Sequence, residues 1–285
     1  IEYSPSLSGY TTTKDCISQN YPWREAITSM LGFCDEVIVL DGGSNDGTWE
    51  TLTGWSETEP KLKVKQFKRD WSHKRSAVFD GLQKALARTL CTSDFCWQSD
   101  VDEVVSETDY KKIRDLIRGF PKQVNLLALP VIEYWGGKEK VRVDVMPWKW
   151  RWPRNDTHIT HGIPASHRRF DEDGDVYSLG SDGCDYIRSD TFEPIQCGTF
   201  YTPDIDQLRL KALTNDADAL KEYTETYKAC VDNLPSVHHF SWWNIERKIK
   251  TFHGYWENHW RSLFNKSVED TPENNMFFDK SWKDV

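Results

Sequence analysis

The stretch EVIVLDGGSNDGT, residues 36–48, decides the fold. Its first half is a continuous apolar run that ends in a carboxylate, the pattern of a strand buried on both faces of a parallel sheet. Its second half is turn chemistry, and a helix is expected to start near Thr48. The glycines admit conformations other residues avoid, and their N–H groups precede a helix N-terminus. The loop is therefore expected either to be a structural turn or to hold an anion. It matches neither G-x-x-x-x-G-K-[ST] nor G-x-G-x-x-G. Asp41, at the strand end, is placed to accept a hydrogen bond from a ribose hydroxyl or a base N–H.

Outward from this junction the pattern alternates. Residues 7–13 read as a strand and 22–32 as a helix with Pro at its first position. Strands follow at 62–68, 94–100 and 124–132, and helices at 73–90 and 108–119. Such alternation predicts an α/β fold with a mostly parallel sheet flanked by helices. Ligands of such sheets sit at the carboxyl ends of the strands. Thr11, Thr12, Thr13, Asp41 and the acidic group 100–103 all fall there. Residues 135–205 are irregular, with DEDGD (171–175) reading as a hairpin turn between RRF and VYS. The last third reads as helical, over 205–232 and 242–264. The expected division is a core over 1–205 and a helical C-terminal region over 206–285 packed on it.

The acidic group lies in WQSDVDEV, residues 97–104, directly after a predicted buried strand. Three carboxylates this close repel one another and lose hydration, so something positive is expected to neutralise them. Two carboxylates separated by one residue suit a hard divalent cation, which bridges to a diphosphate and stabilises charge on a leaving group. A solvated acidic turn is the plainer alternative.

The composition narrows the partners. The formal net charge is −9 over 285 residues, and no basic block stands out. Nucleic acid is therefore not an expected partner. No apolar run is long enough to span a membrane. The first ten residues lack the features of a signal peptide, and the start without Met reads as a trimmed terminus. Seven cysteines without a C-x-x-C pair fit buried thiols in a reducing compartment, hence a cytoplasmic protein. Fourteen tryptophans are many, and their flat faces suit sugar rings as well as a core. Trp135, Trp148, Trp150 and Trp152 are candidates for lining an acceptor cleft.

EVIVLDGGSNDGTWETL, followed some fifty residues later by WQSDVDEV, resembles the family 2-type glycosyltransferases of the GT-A fold. The resemblance covers roughly residues 7–135. It implies transfer of a hexose from a nucleotide-sugar, a UDP-hexose by family frequency, to a glycan or small hydroxylated acceptor, with Mn²⁺ or Mg²⁺. It also implies residue roles. Asp41 contacts the base, and Thr11, Thr12 and Thr13 wall the nucleotide. Asp100 lies near ribose and metal, and Asp102 is a direct metal ligand. Lys74 and Arg75 fall where a basic residue flanks the nucleotide, with a solvated helix surface as the alternative. VHHFSWW (237–243) is similar to a late histidine–aromatic segment whose histidine returns to the metal, assigning His239 with His238 as the fallback. Lys250 or Lys248 then reaches the diphosphate. The acidic pair that supplies the base in many inverting members has no clear equivalent here. Asp182 in DGCDYI either deprotonates the acceptor or organises a turn with Asp185, and His161 belongs to a loop over the acceptor cleft. Two alternatives compete. A sugar nucleotidyltransferase would want a Gly-rich basic loop that TTTKDC lacks. A non-catalytic carbohydrate-binding protein would leave the strand-end carboxylates without a purpose.

Overall fold

Gly9 and Cys34 meet where the first strand crosses the first helix, and this close approach sets the architecture: a Cβ on Gly9 would come within 3.1 Å of the Cys34 sulfur. The computed structural model describes residues 4–69, 76–122, 124, 126–142, 148–151, 154–156, 159–161, 168–170, 176–178, 186–188, 197–198, 205–214 and 216–248. The first half runs β1 (Leu7–Thr13), α1 (Trp23–Phe33), β2 (Glu36–Asp41), α2 (Thr48–Ser56), β3 (Leu62–Gln66), α3 (Ser76–Thr89) and β4 (Phe95–Gln98). These four strands form one parallel sheet in the order β3-β2-β1-β4.

The apolar run of β2 is buried throughout because both faces of this sheet are covered. Val37 and Val39 face Trp23, Ile27 and Met30 of α1 and Leu52 of α2. Ile38 and Leu40 face the other way, onto Tyr10, Cys96 and Ala87 of α3. Alternation along one strand thus feeds two apolar layers, which is what a parallel sheet requires. The expected bounds of β1 and β2 and the start of α2 coincide with the structure. Pro22 stands just before α1 rather than inside it.

The chain then makes β5 (Glu103–Val105), a 3-10 turn at Glu107–Asp109, α4 (Tyr110–Arg118), β6 (Leu126–Trp135) and β7 (Trp148–Arg151). Short strands follow: β8 (Ile159–His161), β9 (Arg168–Phe170), β10 (Val176–Ser178), β11 (Tyr186–Arg188) and β12 (Cys197–Gly198). β9 and β10 pair antiparallel, as RRF and VYS were expected to. The helix expected over 205–232 is two helices, α5 (Ile205–Ala212) and α6 (Ala217–Asn233). The break has a local cause: Asp216 caps α6 by accepting from Ala219 N at 3.0 Å, and Asp is a strong helix starter.

The stretch after α6 is a strand, β13 (Val237–Trp242). It inserts between β5, antiparallel, and β6, parallel. The order of that mixed sheet is β12-β6-β13-β5, with β7 on β6. Val237, Phe240 and Trp242 are residue types that suit a strand. Of the helix expected over 242–264, residues 245–248 are helical and those beyond 248 lie outside the described residues. α6 rests against β6, where the Tyr227 hydroxyl donates to Val131 O at 2.5 Å.

Candidate active site

β1 lies between β2 and β4, with Thr13 in register with Asp41 and Ser99 N donating to Tyr10 O at 3.1 Å. The carboxyl ends of three adjacent strands therefore present Thr11 to Thr13, Asp41 and the turn after Gln98 along one edge. Thr11 and Thr13 are buried and Thr12 is partly exposed. Thr11 Oγ1 is buried without a hydrogen-bond partner among the described residues.

Asp41 is fully buried. Its Oδ1 accepts from Gly43 N at 2.9 Å, Ser44 N at 2.8 Å and Gln66 Nε2 at 3.0 Å. Its Oδ2 accepts from Thr13 Oγ1 at 2.9 Å and Ser44 Oγ at 2.6 Å. Gly43, at φ 98°, makes the reversal that brings these donors round. The neighbouring donors are committed too. Asn45 N goes to Asp15 Oδ1 at 2.8 Å, and Thr48 N to Asp46 Oδ1 at 3.1 Å. Of the two alternatives for the loop, the structural turn is the one found at Gly43, Ser44, Asn45 and Thr48: the chain supplies its own carboxylates to their N–H groups.

The acidic turn is neutralised one carboxylate at a time. Asp100 Oδ1 meets Lys84 Nζ of α3 at 2.8 Å and Gln98 Nε2 at 2.9 Å. Glu103, fully buried, pairs with Lys149 of β7. Asp102 Oδ1 stands 3.4 Å from His239 Nε2. The insertion of β13 makes this last pair, since Phe240 N donates to Asp102 O at 2.8 Å and His239 lies in register with Glu103. On its other side His239 is in register with Glu133 of β6, and its Nδ1 lies 2.5 Å from Glu133 Oε2. His238 points oppositely, toward the Tyr134 hydroxyl at 2.8 Å from its Nδ1. Strand alternation thus brings His239, not His238, to the acidic turn.

The electrostatics follow from this geometry. Burial alone would raise the Asp102 carboxyl, but His239 and Lys248 outweigh it and hold it well below the usual carboxylate range. Burial and Lys149 push His239 down, yet Asp102 and Glu133 prevail and lift it to about 9. Burial lowers Lys248, against the pull of Asp102. The Lys248 ammonium rests on Ser241 Oγ at 2.5 Å. His238 is lowered by burial.

The residues present fit a divalent cation in part. Ligand atoms about 2.1 Å from a small octahedral cation lie roughly 3 Å from one another. Asp102 Oδ1 and His239 Nε2 are close to that spacing, and Mn²⁺ accepts imidazole beside carboxylate. Asp100, turned to Lys84, does not share the focus, and no three His, Cys, Asp or Glu side chains among the described residues converge as metal ligands do.

Other candidates fall elsewhere. Lys74, Arg75, Asp182 and Lys250 lie outside the described residues. His161 ends β8, where its backbone pairs with Tyr186 of β11, and its side chain is likewise outside them. Trp135 is core: buried, 5.4 Å from Trp242, with the Arg142 guanidinium over both rings. Trp152 and the side chains of Trp148 and Trp150 are outside the described residues. Sequence reasoning missed Lys84, Lys149 and Glu133. Lys84 sits in an ordinary helical pattern and Lys149 in a stretch that reads as irregular, and only the charge on Glu133 within the largely apolar LLALPVIEYW was a signal.

A parallel sheet with strand-end carboxylates opposite an imidazole places the chain among α/β enzymes that bind ligands at the sheet edge. The family model Glycosyl transferase family 2 matches residues 24–173, more than half of the chain, and the chain belongs to that family. Among solved structures it is similar to Staphylococcus aureus TarS 1-349 in complex with UDP-GlcNAc. That match has a TM-score of 0.39 and 17% identity, over 53% of this chain and 45% of the other. It is also similar to the mannosyltransferase PcManGT from Pyrobaculum calidifontis in complex with GDP-Man and Mn²⁺. There the TM-score is 0.38 and the identity 14%, over 53% of this chain and 45% of the other. The match thus spans under half the length of those chains. No protein with a curated description matches the chain significantly. No helix among the described residues is long and apolar enough to cross a membrane.

Proposed function

We propose that the protein is a glycosyltransferase that moves a hexosyl group from a nucleotide-sugar, a UDP-hexose foremost, to a hydroxyl of a glycan or small hydroxylated acceptor, with Mn²⁺ or Mg²⁺ at the acidic turn. The observation that carries the reading is Asp102 Oδ1 facing His239 Nε2 at 3.4 Å, at the edge where parallel sheets bind ligands. Asp102 and His239 would hold the cation. Asp100 faces the ribose and turns to the cation only by leaving Lys84. When bound, the cation stabilises charge on the departing nucleoside diphosphate.

The chain's own residues do the rest. Asp41 serves the base through the loop it anchors, and Thr11 to Thr13 wall the nucleotide, with Thr12 the partly exposed one. Lys74, Arg75 and Lys250 supply positive charge toward the diphosphate. Asp182 or His161 takes the acceptor hydroxyl proton. The acceptor oxygen bonds to the anomeric carbon as that carbon's bond to the diphosphate oxygen breaks, its electron pair leaving with the diphosphate. The same reading divides the chain into a core, 1–205, and a C-terminal region, 206–285, that lends β13 to the core's second sheet. It also places the protein in the cytoplasm, where thiols such as Cys16, Cys34, Cys91, Cys96 and Cys230, all free and buried, persist.

Calorimetry with UDP, GDP and their sugars, with and without Mn²⁺, tests this, together with assays of slow donor hydrolysis. A nucleoside diphosphate is expected to bind only when Mn²⁺ is present. Binding of glycans with no uptake of any nucleotide would replace the reading with a carbohydrate-binding one. Pyrophosphate release from a nucleoside triphosphate and a sugar phosphate would replace it with a nucleotidyltransferase.

A further inference from the structure

Glu133 has no part in the chemistry above, yet it stands directly behind the histidine on which that chemistry depends. β13 threads between β5 and β6, so His239 has one acidic neighbour in register on each side, Glu103 and Glu133. Glu103 is paired with Lys149. Glu133 is buried, its Oε2 lies 2.5 Å from His239 Nδ1, and its Oε1 has no hydrogen-bond partner among the described residues. The opposite ring nitrogen, Nε2, faces Asp102.

A neutral imidazole carries its proton on one nitrogen and offers a lone pair on the other. Two groups compete to decide which. The Lys149 ammonium, 3.4 Å from Nδ1, can only donate and would draw the lone pair to Nδ1. The Glu133 carboxylate can only accept and would keep the proton there. Glu133 is nearer by almost an ångström, and Lys149 is already engaged by Glu103. The carboxylate therefore wins. Partners of this kind set the orientation and basicity of metal-binding histidines, and losing one weakens metal affinity about 10–100-fold.

We propose that Glu133 is a positioning residue: its carboxylate accepts the Nδ1–H of His239 and so leaves Nε2 as the nitrogen that binds the divalent cation that Asp102 and His239 would hold. This rests on the metal-dependent reading above. The test uses the whole chain without nucleotide. Free Mn²⁺ is followed by electron paramagnetic resonance in titrations of the wild type, His239→Ala, Glu133→Gln and Glu133→Asp. The imidazole ¹⁵N spectrum of the wild type is recorded with Zn²⁺ as a diamagnetic probe.

Glu133→Gln is expected to bind Mn²⁺ about 10–100-fold more weakly, because an amide can donate to Nδ1 and reverse the tautomer. Glu133→Asp, which keeps the acceptor, should recover part of the loss. In the wild type Nδ1 should stay protonated while Zn²⁺ shifts the Nε2 resonance. Wild-type affinity in Glu133→Gln, with His239→Ala impaired, overturns the role of Glu133 and leaves the metal site standing. No Mn²⁺ uptake by the wild type, or full uptake by His239→Ala, removes both. If Glu133→Gln does not fold, the wild-type spectrum decides alone, and Zn²⁺ on Nδ1 overturns the proposal.

Discussion

Asp41 ends β2 and Asp102 follows β4, on either side of β1 along the same sheet edge; both are buried, and they are stabilised in opposite ways. All five donors to the Asp41 carboxylate come from residues 13–66, three of them from its own loop. The electrostatic partners of Asp102 come from the far end of the chain, His239 and Lys248. Its acidic neighbours likewise rely on Lys84 and Lys149. A carboxylate closed by backbone N–H groups is a fixed part of the fold. One opposed by side-chain cations can exchange them for a ligand. The first region is built to hold a shape, and the second to be re-partnered.

The contrast is broken most directly at Asp102. Asp102→Asn is expected to reduce metal-dependent donor hydrolysis and transfer at least about 10³-fold, read as initial rates with saturating Mn²⁺. The same variant should lose no more than about 1 kcal/mol of stability, because His239 keeps Glu133 and can shed its Nε2 proton. Turnover near that of the wild type would remove Asp102 from the chemistry.

Asp41→Asn should show the reverse balance. An amide keeps one acceptor oxygen for Gly43 N, Ser44 N and Gln66 Nε2, but it makes the Thr13 and Ser44 hydroxyls turn from donating to accepting and removes the charge from all five bonds. Losing these charge-assisted bonds is expected to cost about 3 kcal/mol, seen in urea titrations. A smaller loss than in Asp102→Asn would undo the distinction between the two carboxylates.

The smallest effect sharpens the comparison at the other end of β2. Glu36 accepts from Ser8 Oγ at 2.6 Å, Thr92 N at 2.7 Å and Thr92 Oγ1 at 2.8 Å, and pairs with Lys63. Burial alone would raise its carboxyl, but Lys63, Ser8 and Thr92 lower it from 4.5 to about 2. A depressed folded value means stability that is fully present above pH 4.5 and lost as the pH falls toward 2. Glu36→Gln should therefore lower stability at pH 7 by about 1–2 kcal/mol and flatten the acid limb between those values. An unchanged slope of stability against pH over that window would show that Glu36 titrates as an ordinary carboxylate.

Much of the first half was legible because its signals are local. The apolar run and the turn in EVIVLDGGSNDGT need only their own residues, and the Asp41 loop closes on donors a few positions away. What the motif did not disclose was how its N–H groups are spent, since Asp15 and Asp46 divert them. The acidic turn could be read as needing positive charge, but not whose. Lys84 lies inside an expected helix, Glu133 just past an expected strand and Lys149 in a stretch that reads as irregular, and no strand is expected over 237–242.

The sequence alone determined the parallel α/β half, the strand-end position of its carboxylates and the family resemblance that residues 24–173 bear out. Periodicity and turn chemistry are short-range, and a strand buried on both faces is apolar wherever it lies. Only the tertiary structure decided that His239 rather than His238 meets Asp102, that Glu133 stands behind it, and that each carboxylate of the turn has its own cation. Those pairings join residues up to some 140 positions apart, and they exist because β13 slides between β5 and β6, a step set by sheet register rather than by any neighbouring residue.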